Sequence, residues 1–154
     1  MKITQYDTRL SKNKRNLLVK EGDLETEDKF FDSPKKIVKL LNDNFNMSRR
    51  TEEYVYMLAL TSQSEIIGVF QISHGTVCGT HMSPREIFVK AVLCGAAGIV
   101  LVHNHPGGTN SPSPMDRIET QRVWKVGKLV GISLLDHIII CGDGYVSMRE
   151  RGEL

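Results

Sequence analysis

The chain has 154 residues, of which 40% are hydrophobic and 25% charged, and its formal net charge is +2. These values are typical of one globular domain and exclude a collagen-like or mostly disordered chain. The longest apolar stretch, residues 96–102, is far shorter than the roughly 20 residues that cross a bilayer. We therefore expect no membrane contact.

The N-terminus and the cysteines indicate where the protein works. Residues 1–7 contain no apolar h-region, so we expect no secretion signal. The cysteines, Cys78, Cys94 and Cys141, are three in number and form no C-x-x-C pair. This pattern disfavours a disulfide framework and a cysteine zinc site, and we expect all three to be packing residues. Together these features predict a cytoplasmic protein.

Charge is unevenly distributed along the chain. Residues 1–50 contain 12 Lys and Arg against 8 Asp and Glu, whereas the remainder is slightly acidic. A basic block at 9–20 precedes an acidic block at 21–32, and such blocks are usually solvated and loosely ordered. A phosphate-binding arm at residues 12–15 is the functional alternative, although the neighbouring acidic block would compete for it.

A change of pattern near residues 47–51 predicts an N-terminal extension, 1–50, and a domain, 51–154. In the extension Ser33-Pro34 is typical of a helix start, and apolar spacing predicts one helix over about 34–46. The domain contains, in order, predicted strands at 54–60 and 66–72, a helix from a capping box at 83–86 to about 95, a strand at 98–102, a loop at 103–112, a helix at 113–130, and strands at 134–141 and 145–148. This order predicts an α/β fold with a mixed sheet flanked by helices.

The predicted loop after the strand at 98–102 carries the candidate chemistry. It reads His103-Asn104-His105-Pro106, and Asp116 follows in the first turn of the next helix. Residues i and i+2 of an extended segment project to the same side, so both imidazoles can face one ion while Asn104 points away. A carboxylate is favoured at a helix N-terminus, and the loop lets Asp116 reach the histidines. Two imidazoles and one carboxylate leave a fourth position for water, as in catalytic zinc sites.

Water at such an ion also requires a base. Glu53, at the start of the first strand of the domain, is the candidate, and Glu52 should point to the opposite face. Ser113 can cap the next helix and can also donate its hydroxyl to the oxyanion formed when hydroxide attacks a carbonyl. An isolated His-x-His is also typical of a solvated turn, and Asp116 and Ser113 can serve the helix terminus alone. The position after the most hydrophobic strand favours a site, since sites of α/β proteins gather there.

The remaining polar residues of interest have weaker signals. His74 and His81 are predicted to be ordinary loop histidines. His137 lies within an apolar strand and is predicted to be structural rather than a ligand. Asp136, beside it, is a candidate for orienting a zinc-bound imidazole by a hydrogen bond.

Glu53, His103, His105, Ser113 and Asp116 together resemble the JAMM motif of the JAB/MPN+ metalloproteases, E…H-x-H-x10-D with an intervening serine. The segments 84–88, 103–116, 134–140 and 145–152 resemble the RadC family more closely. The resemblance covers about residues 50–154. It implies a cytidine-deaminase-like α/β/α sandwich, one zinc ion per chain held by His103, His105 and Asp116, Glu53 as general acid/base and Ser113 as oxyanion donor.

The resemblance further implies hydrolysis of peptide or isopeptide bonds in a protein substrate. Glu53 would take a proton from zinc-bound water, the hydroxide would attack a carbonyl polarised by zinc and Ser113, and Glu53 would return the proton to the leaving amine.

Two alternatives belong to other functional classes. One is a non-catalytic, metal-stabilised module of DNA repair or replication that binds DNA or a protein partner. Full-length RadC-like proteins carry an N-terminal helix-hairpin-helix region, and residues 1–50 contain no Gly-x-Gly hairpin between paired helices, so nucleic acid stays a possible partner with weak support from the sequence. The other is an HNH nuclease, but that class distributes its residues over a ββα unit rather than a tripeptide.

Overall fold

The strands form one mixed sheet with helices on both faces. The computed structural model describes residues 1–28, 30–77 and 79–154. The elements in these ranges are, in chain order, β1 (Lys2–Leu10), β2 (Asn16–Glu25), α1 (Pro34–Phe45), a 3₁₀ turn (Met47–Arg49), β3 (Tyr54–Leu60), β4 (Ile66–His74), α2 (Pro84–Leu93), β5 (Gly98–Asn104), α3 (Pro114–Val130), β6 (Ser133–Cys141) and β7 (Gly144–Ser147). Among these helices, none is long and apolar enough to cross a membrane.

The strand order in the sheet is β2-β1-β4-β3-β5-β6-β7. β1 pairs in parallel with β4, and β5 with β6, while the other neighbours are antiparallel. Helix α1 packs on one face of the sheet, and α2 and α3 pack on the other. The fold is therefore an α/β/α sandwich with a mixed sheet, as predicted.

Strand β5, which lies between β3 and β6 in the sheet, is buried over its whole length. Because successive side chains of a strand alternate between faces, Val100 and Val102 join the core beneath α1, while Ile99 and Leu101 join the core beneath α2 and α3. This burial on both faces explains the continuous apolar run from which the strand was predicted.

β5 is longer than predicted. The loop was expected to begin at His103, but His103 and Asn104 are the last two residues of the strand. His103 pairs with Val55 of β3 and with Ile139 of β6. The end of this strand cannot be recognised in the sequence, because its last two residues are polar. They are buried only because other segments supply their hydrogen-bond partners. The first histidine of the motif therefore stands on a rigid strand.

The expectation that the charged blocks at 9–20 and 21–32 are loosely ordered is wrong where they fall in β1 and β2, which form an antiparallel hairpin joined to the sheet through β4. Leu18 and Leu24 are an even number of residues apart, yet they contact opposite cores, because a bulge between them shifts the register. The bulge conceals the period of two on which a strand prediction depends.

The predicted domain division at residue 50 follows the 3₁₀ turn and stays a prediction.

The charged blocks pair with each other across this hairpin. Arg9 lies 2.7 Å from Glu21, and Lys2 lies 3.6 Å from Glu25. Both pairs are largely exposed and contribute little to stability, so the hairpin is ordered mainly by the burial of Ile3 and Leu24 and by its pairing with β4.

The serines that precede the helices differ in their contacts. Ser113 accepts a hydrogen bond from the Asp116 amide, and Asp116 accepts one from the Ser113 amide, so α3 begins with a full capping box. The capping box predicted for α2 is absent, since Ser83 makes no side-chain cap and the Glu86 carboxylate instead accepts from Arg85.

The cysteines have no disulfide partner among the described residues. Cys94 is half-buried and packs against the core beneath α2 and α3, and Cys141 is buried. Cys78, for which the same packing role was predicted, lies outside the described residues.

Candidate metal centre

The end of β5 and the first turn of α3 bring three candidate ligands together. Nε2 of His103 lies 2.9 Å from Nε2 of His105. Oδ1 of Asp116 lies 3.4 Å from Nε2 of His103, and Oδ2 of Asp116 lies 3.3 Å from Nε2 of His105. Ligand atoms of a tetrahedral zinc ion with bonds of ~2.0–2.2 Å are about 3.3 Å apart. The group therefore has the chemistry and the spacing to hold one divalent cation.

Backbone contacts fix the position of His105. Its amide donates to the Ile140 carbonyl at 2.8 Å, which prolongs the pairing with β6 beyond β5. The chain then turns through Gly108, whose φ of 75° favours glycine and whose amide donates to the His105 carbonyl. Nδ1 of His105 lies 3.0 Å from the Thr109 carbonyl and donates to it, so Nε2 is the ring nitrogen that faces Asp116.

The Asp116 carboxylate is held as an anion. Burial alone would raise its pKa, but hydrogen bonding to His103 and His105, together with the Ser113 amide, outweighs burial and keeps the pKa well below its ordinary value. The hydrogen bond with Asp116 in turn raises the pKa of His105. A charged oxygen ligand therefore faces two nitrogen ligands in a mostly buried position.

A buried chain of hydrogen bonds sets the tautomer of His103. Thr120 donates its proton to the Asp116 carbonyl at 2.5 Å, so its oxygen accepts from Nδ1 of His137, 2.6 Å away. Complete burial lowers the pKa of His137 well below its ordinary value, and a neutral ring carries one N–H only. Nε2 of His137 therefore accepts from Nδ1 of His103 at 2.7 Å. Nδ1 of His103 therefore carries a proton, and Nε2, which faces the other two ligands, is the nitrogen left to bind a metal ion.

His137 is buried and both its ring nitrogens contact other side chains, and its contact with His103 orients a candidate ligand. His137→Phe keeps a ring of similar size and removes both nitrogens. We expect the affinity for Zn²⁺ to fall about 10–100-fold while the protein stays folded. Titration with zinc against a competing chelator would measure the affinity. Thr120→Val should act in the same direction with a smaller effect, and an unchanged affinity in both variants would contradict the role.

Asp136 does not contact an imidazole among the described residues. Its Oδ1 accepts from the amides of His137 and Arg149, and its Oδ2 accepts from the Ser147 hydroxyl at 2.6 Å. The sequence interpretation of Asp136 as the residue that orients a zinc-bound imidazole is therefore wrong. Asp136 instead ties β6 to the end of β7 and the turn after it.

We predict that Asp136→Ala lowers the free energy of unfolding by about 3 kcal/mol, since three hydrogen bonds to a buried carboxylate are lost. Chemical denaturation would measure this loss. Zinc affinity should remain within about threefold of the original protein, in contrast to His137→Phe. A large loss of zinc affinity in a variant that is still folded would instead support a role of Asp136 in orienting a zinc-bound imidazole.

An open cavity of about 430 Å³ lies beside the three ligands, and Glu53, Val77, His105 and Ser113 line it. Burial raises the pKa of Glu53, although His103 and His105 oppose the shift. The predicted base and the predicted oxyanion donor thus line the same cavity as one of the ligands, His105.

The neighbouring carboxylate, Glu52, points elsewhere, as predicted. It is exposed and its side chain contacts His74, which is the last residue of β4 rather than a loop residue. His81 does lie in a loop and contacts the buried carboxylate of Glu119 at 2.7 Å. Glu119 also accepts from the Met82 amide, so it anchors the segment that leads into α2. Glu119 is not among the residues predicted from the sequence, because its only local signal is its position in an amphipathic helix.

Residues 31–153 match the family model of the RadC-like JAB domain. The chain belongs to this family. The RadC-like JAB domain of this protein is similar to the UPF0758 proteins of several bacteria. It is 37% identical to that of Thermotoga maritima over 123 residues, which are 80% of this chain and 54% of the relative. It is 42% identical to that of Pelobacter propionicus over 125 residues, which are 80% of this chain and 53% of the relative.

A third relative, the UPF0758 protein of Rubrobacter xylanophilus, is 43% identical over 102 residues, which are 66% of this chain and 44% of the relative. The chain therefore spans about half the length of the curated relatives it matches. The match begins just before α1, so the RadC-like JAB domain contains all three candidate ligands, Glu53 and Ser113.

Proposed function

We propose that this protein is a zinc-dependent hydrolase of peptide or isopeptide bonds that acts in the cytoplasm. One observation carries the proposal: His105, which belongs to the JAMM-type ligand group with His103 and Asp116, lines a cavity that Glu53 and Ser113 also line. Membership of the RadC-like JAB family supports it.

The donor set suits zinc. Imidazole nitrogens are common zinc ligands, and two of them with one carboxylate match the open sites of zinc hydrolases. A zinc ion held by the three ligands would supply a Lewis acid and lower the pKa of a bound water to near neutral.

The protein's own residues supply the proton transfers and orient the substrate. Glu53 would accept a proton from the attacking water and deliver it to the leaving amine, and its raised pKa suits both tasks. The Ser113 oxygen already accepts from the Asp116 amide, so its own proton is available to donate to the carbonyl oxygen of the substrate.

The test is hydrolysis by the zinc-loaded protein. The full chain with one equivalent of Zn²⁺ would be incubated with a mixed peptide library and with peptides joined through a lysine side chain. Mass spectrometry in H₂¹⁸O would detect a new amine and a carboxylate that has gained one ¹⁸O. We expect product with the original protein and none after chelation or with His105→Ala. Absence of product from both substrate classes with zinc bound would overturn the proposal.

A further inference from the structure

We infer that Asn104, the residue between the two histidine ligands, is a positioning residue for Glu53. The inference rests on the proposed function, in which Glu53 is the base. Asn104 is 2% exposed and its side chain lies away from the ligand group, against the segment that carries Glu53.

The side-chain carboxamide of Asn104 bridges the residues on either side of Glu53. Its Oδ1 accepts from the Tyr54 amide at 2.8 Å, and its Nδ2 donates to the Glu52 carbonyl at 3.0 Å. A carboxamide supplies the donor and the acceptor that this pair of contacts requires, whereas an ionised aspartate would lack the donor.

The side chain acts where the backbone pairing between β3 and β5 stops. His103 and Val55 are the last pair in the ladder, and the next amide, that of His105, turns to Ile140 on β6. The Asn104 side chain therefore supplies hydrogen bonds where the backbone pairing has stopped. It keeps the residues before β3 extended alongside β5, the strand that ends at the ligands.

Glu53 itself is held from the other side. Its amide donates to the Thr76 carbonyl at 3.1 Å, and its carbonyl accepts from the Gly75 amide at 2.8 Å. The Thr80 amide also donates to the Glu53 carboxylate. With both edges of the segment bonded, the backbone of Glu53 has one position relative to the ligands. A misplacement of about 1 Å at a reacting group can cost 10²-fold in rate.

The first measurement requires no substrate. Amide hydrogen exchange by NMR would compare the original protein with Asn104→Ala and with a matched control, Asn44→Ala. Asn44 bridges the Glu25 amide and carbonyl in the same manner, far from the ligands. In Asn104→Ala we expect exchange at Tyr54 and Glu53 to accelerate about tenfold, the equivalent of one hydrogen bond. Zinc affinity should stay within about threefold, because all three ligands remain.

The second measurement uses a substrate cleaved by the original protein. Asn104→Ala should lower kcat about 10–100-fold with KM and zinc affinity nearly unchanged, and Asn44→Ala should alter none of the three. If Asn104→Ala does not fold, Asn104→Asp takes its place. It retains the acceptor for Tyr54 and loses the donor for Glu52, so kcat should fall by a smaller factor.

The outcomes separate this inference from the proposed function. Unchanged exchange at Glu53 and Tyr54 would overturn it, and so would a loss of zinc affinity parallel to the loss of kcat, since that result assigns Asn104 to the support of the ligands. If the original protein cleaves nothing, the proposed function fails, and the exchange measurement still decides whether Asn104 holds Glu53 in place.

Discussion

Replacing Glu53 by glutamine should lower the rate of amide hydrolysis about 10²–10⁴-fold and leave zinc binding intact. Glutamine has nearly the shape of glutamate and can still accept from the Thr80 amide, but it cannot take a proton from water at neutral pH. The backbone bonds of residue 53 to Gly75 and Thr76 do not involve the side chain, so the fold should be preserved. Kinetics with a cleaved peptide and zinc analysis of the same sample would measure both effects.

Glu52→Gln is the matched control for this substitution. Glu52 is the adjacent carboxylate, but it is exposed and contacts His74 rather than the cavity. We expect hydrolysis by this variant to stay within about twofold, since exposed ion pairs contribute little. Equal losses in the two variants would show that nearby negative charge, rather than the position of Glu53, supports the activity. Full activity of Glu53→Gln would remove Glu53 from the mechanism.

His103→Ala should abolish stoichiometric zinc binding. His103 is 1% exposed, and its Nε2 faces both other ligands. One imidazole and one carboxylate would remain, too few ligands for a stable zinc site. Protein purified without added metal should contain about one zinc ion per chain in the original form and almost none in the variant, as measured by elemental analysis.

The same substitution predicts a difference in thermal stability. A ligand that binds only the folded state at 100 to 1,000 times its dissociation constant stabilises it by about 3–4 kcal/mol. Zinc should therefore raise the Tm of the original protein and leave that of His103→Ala unchanged. His81→Ala, which removes an exposed histidine outside the ligand group, should respond to zinc as the original protein does. Equal zinc content in the original protein and His103→Ala would exclude this site as the metal centre.

Local pattern was sufficient for much of the fold. The apolar run at 98–102, the Ser-Pro pairs before the helices and the helical spacing of apolar residues in α1 predicted elements that the structure contains. Each of these signals acts over a few residues through burial or capping, so it can be read without knowledge of the rest of the chain.

The N-terminal hairpin shows where local pattern fails. Its strands contain few apolar residues, and the bulge places Leu18 and Leu24 on opposite faces. Its order depends on the burial of Ile3 and Leu24 and on pairing with β4, whose partner residues lie about 64 positions further along the chain. The local pattern of a strand does not show which distant segment it pairs with.

The sequence by itself determined the types and spacing of the candidate ligands, because two histidines in an extended segment must share a side and a capping carboxylate must sit at a helix start. Only the tertiary structure decided that His137 and Thr120 set the tautomer of His103, that Asp136 serves another contact, and that Asn104 holds the segment of Glu53. These contacts join strands and helices through side-chain hydrogen bonds. Such bonds require atoms at defined distances and angles. The register of the sheet sets these positions, and residue types alone do not.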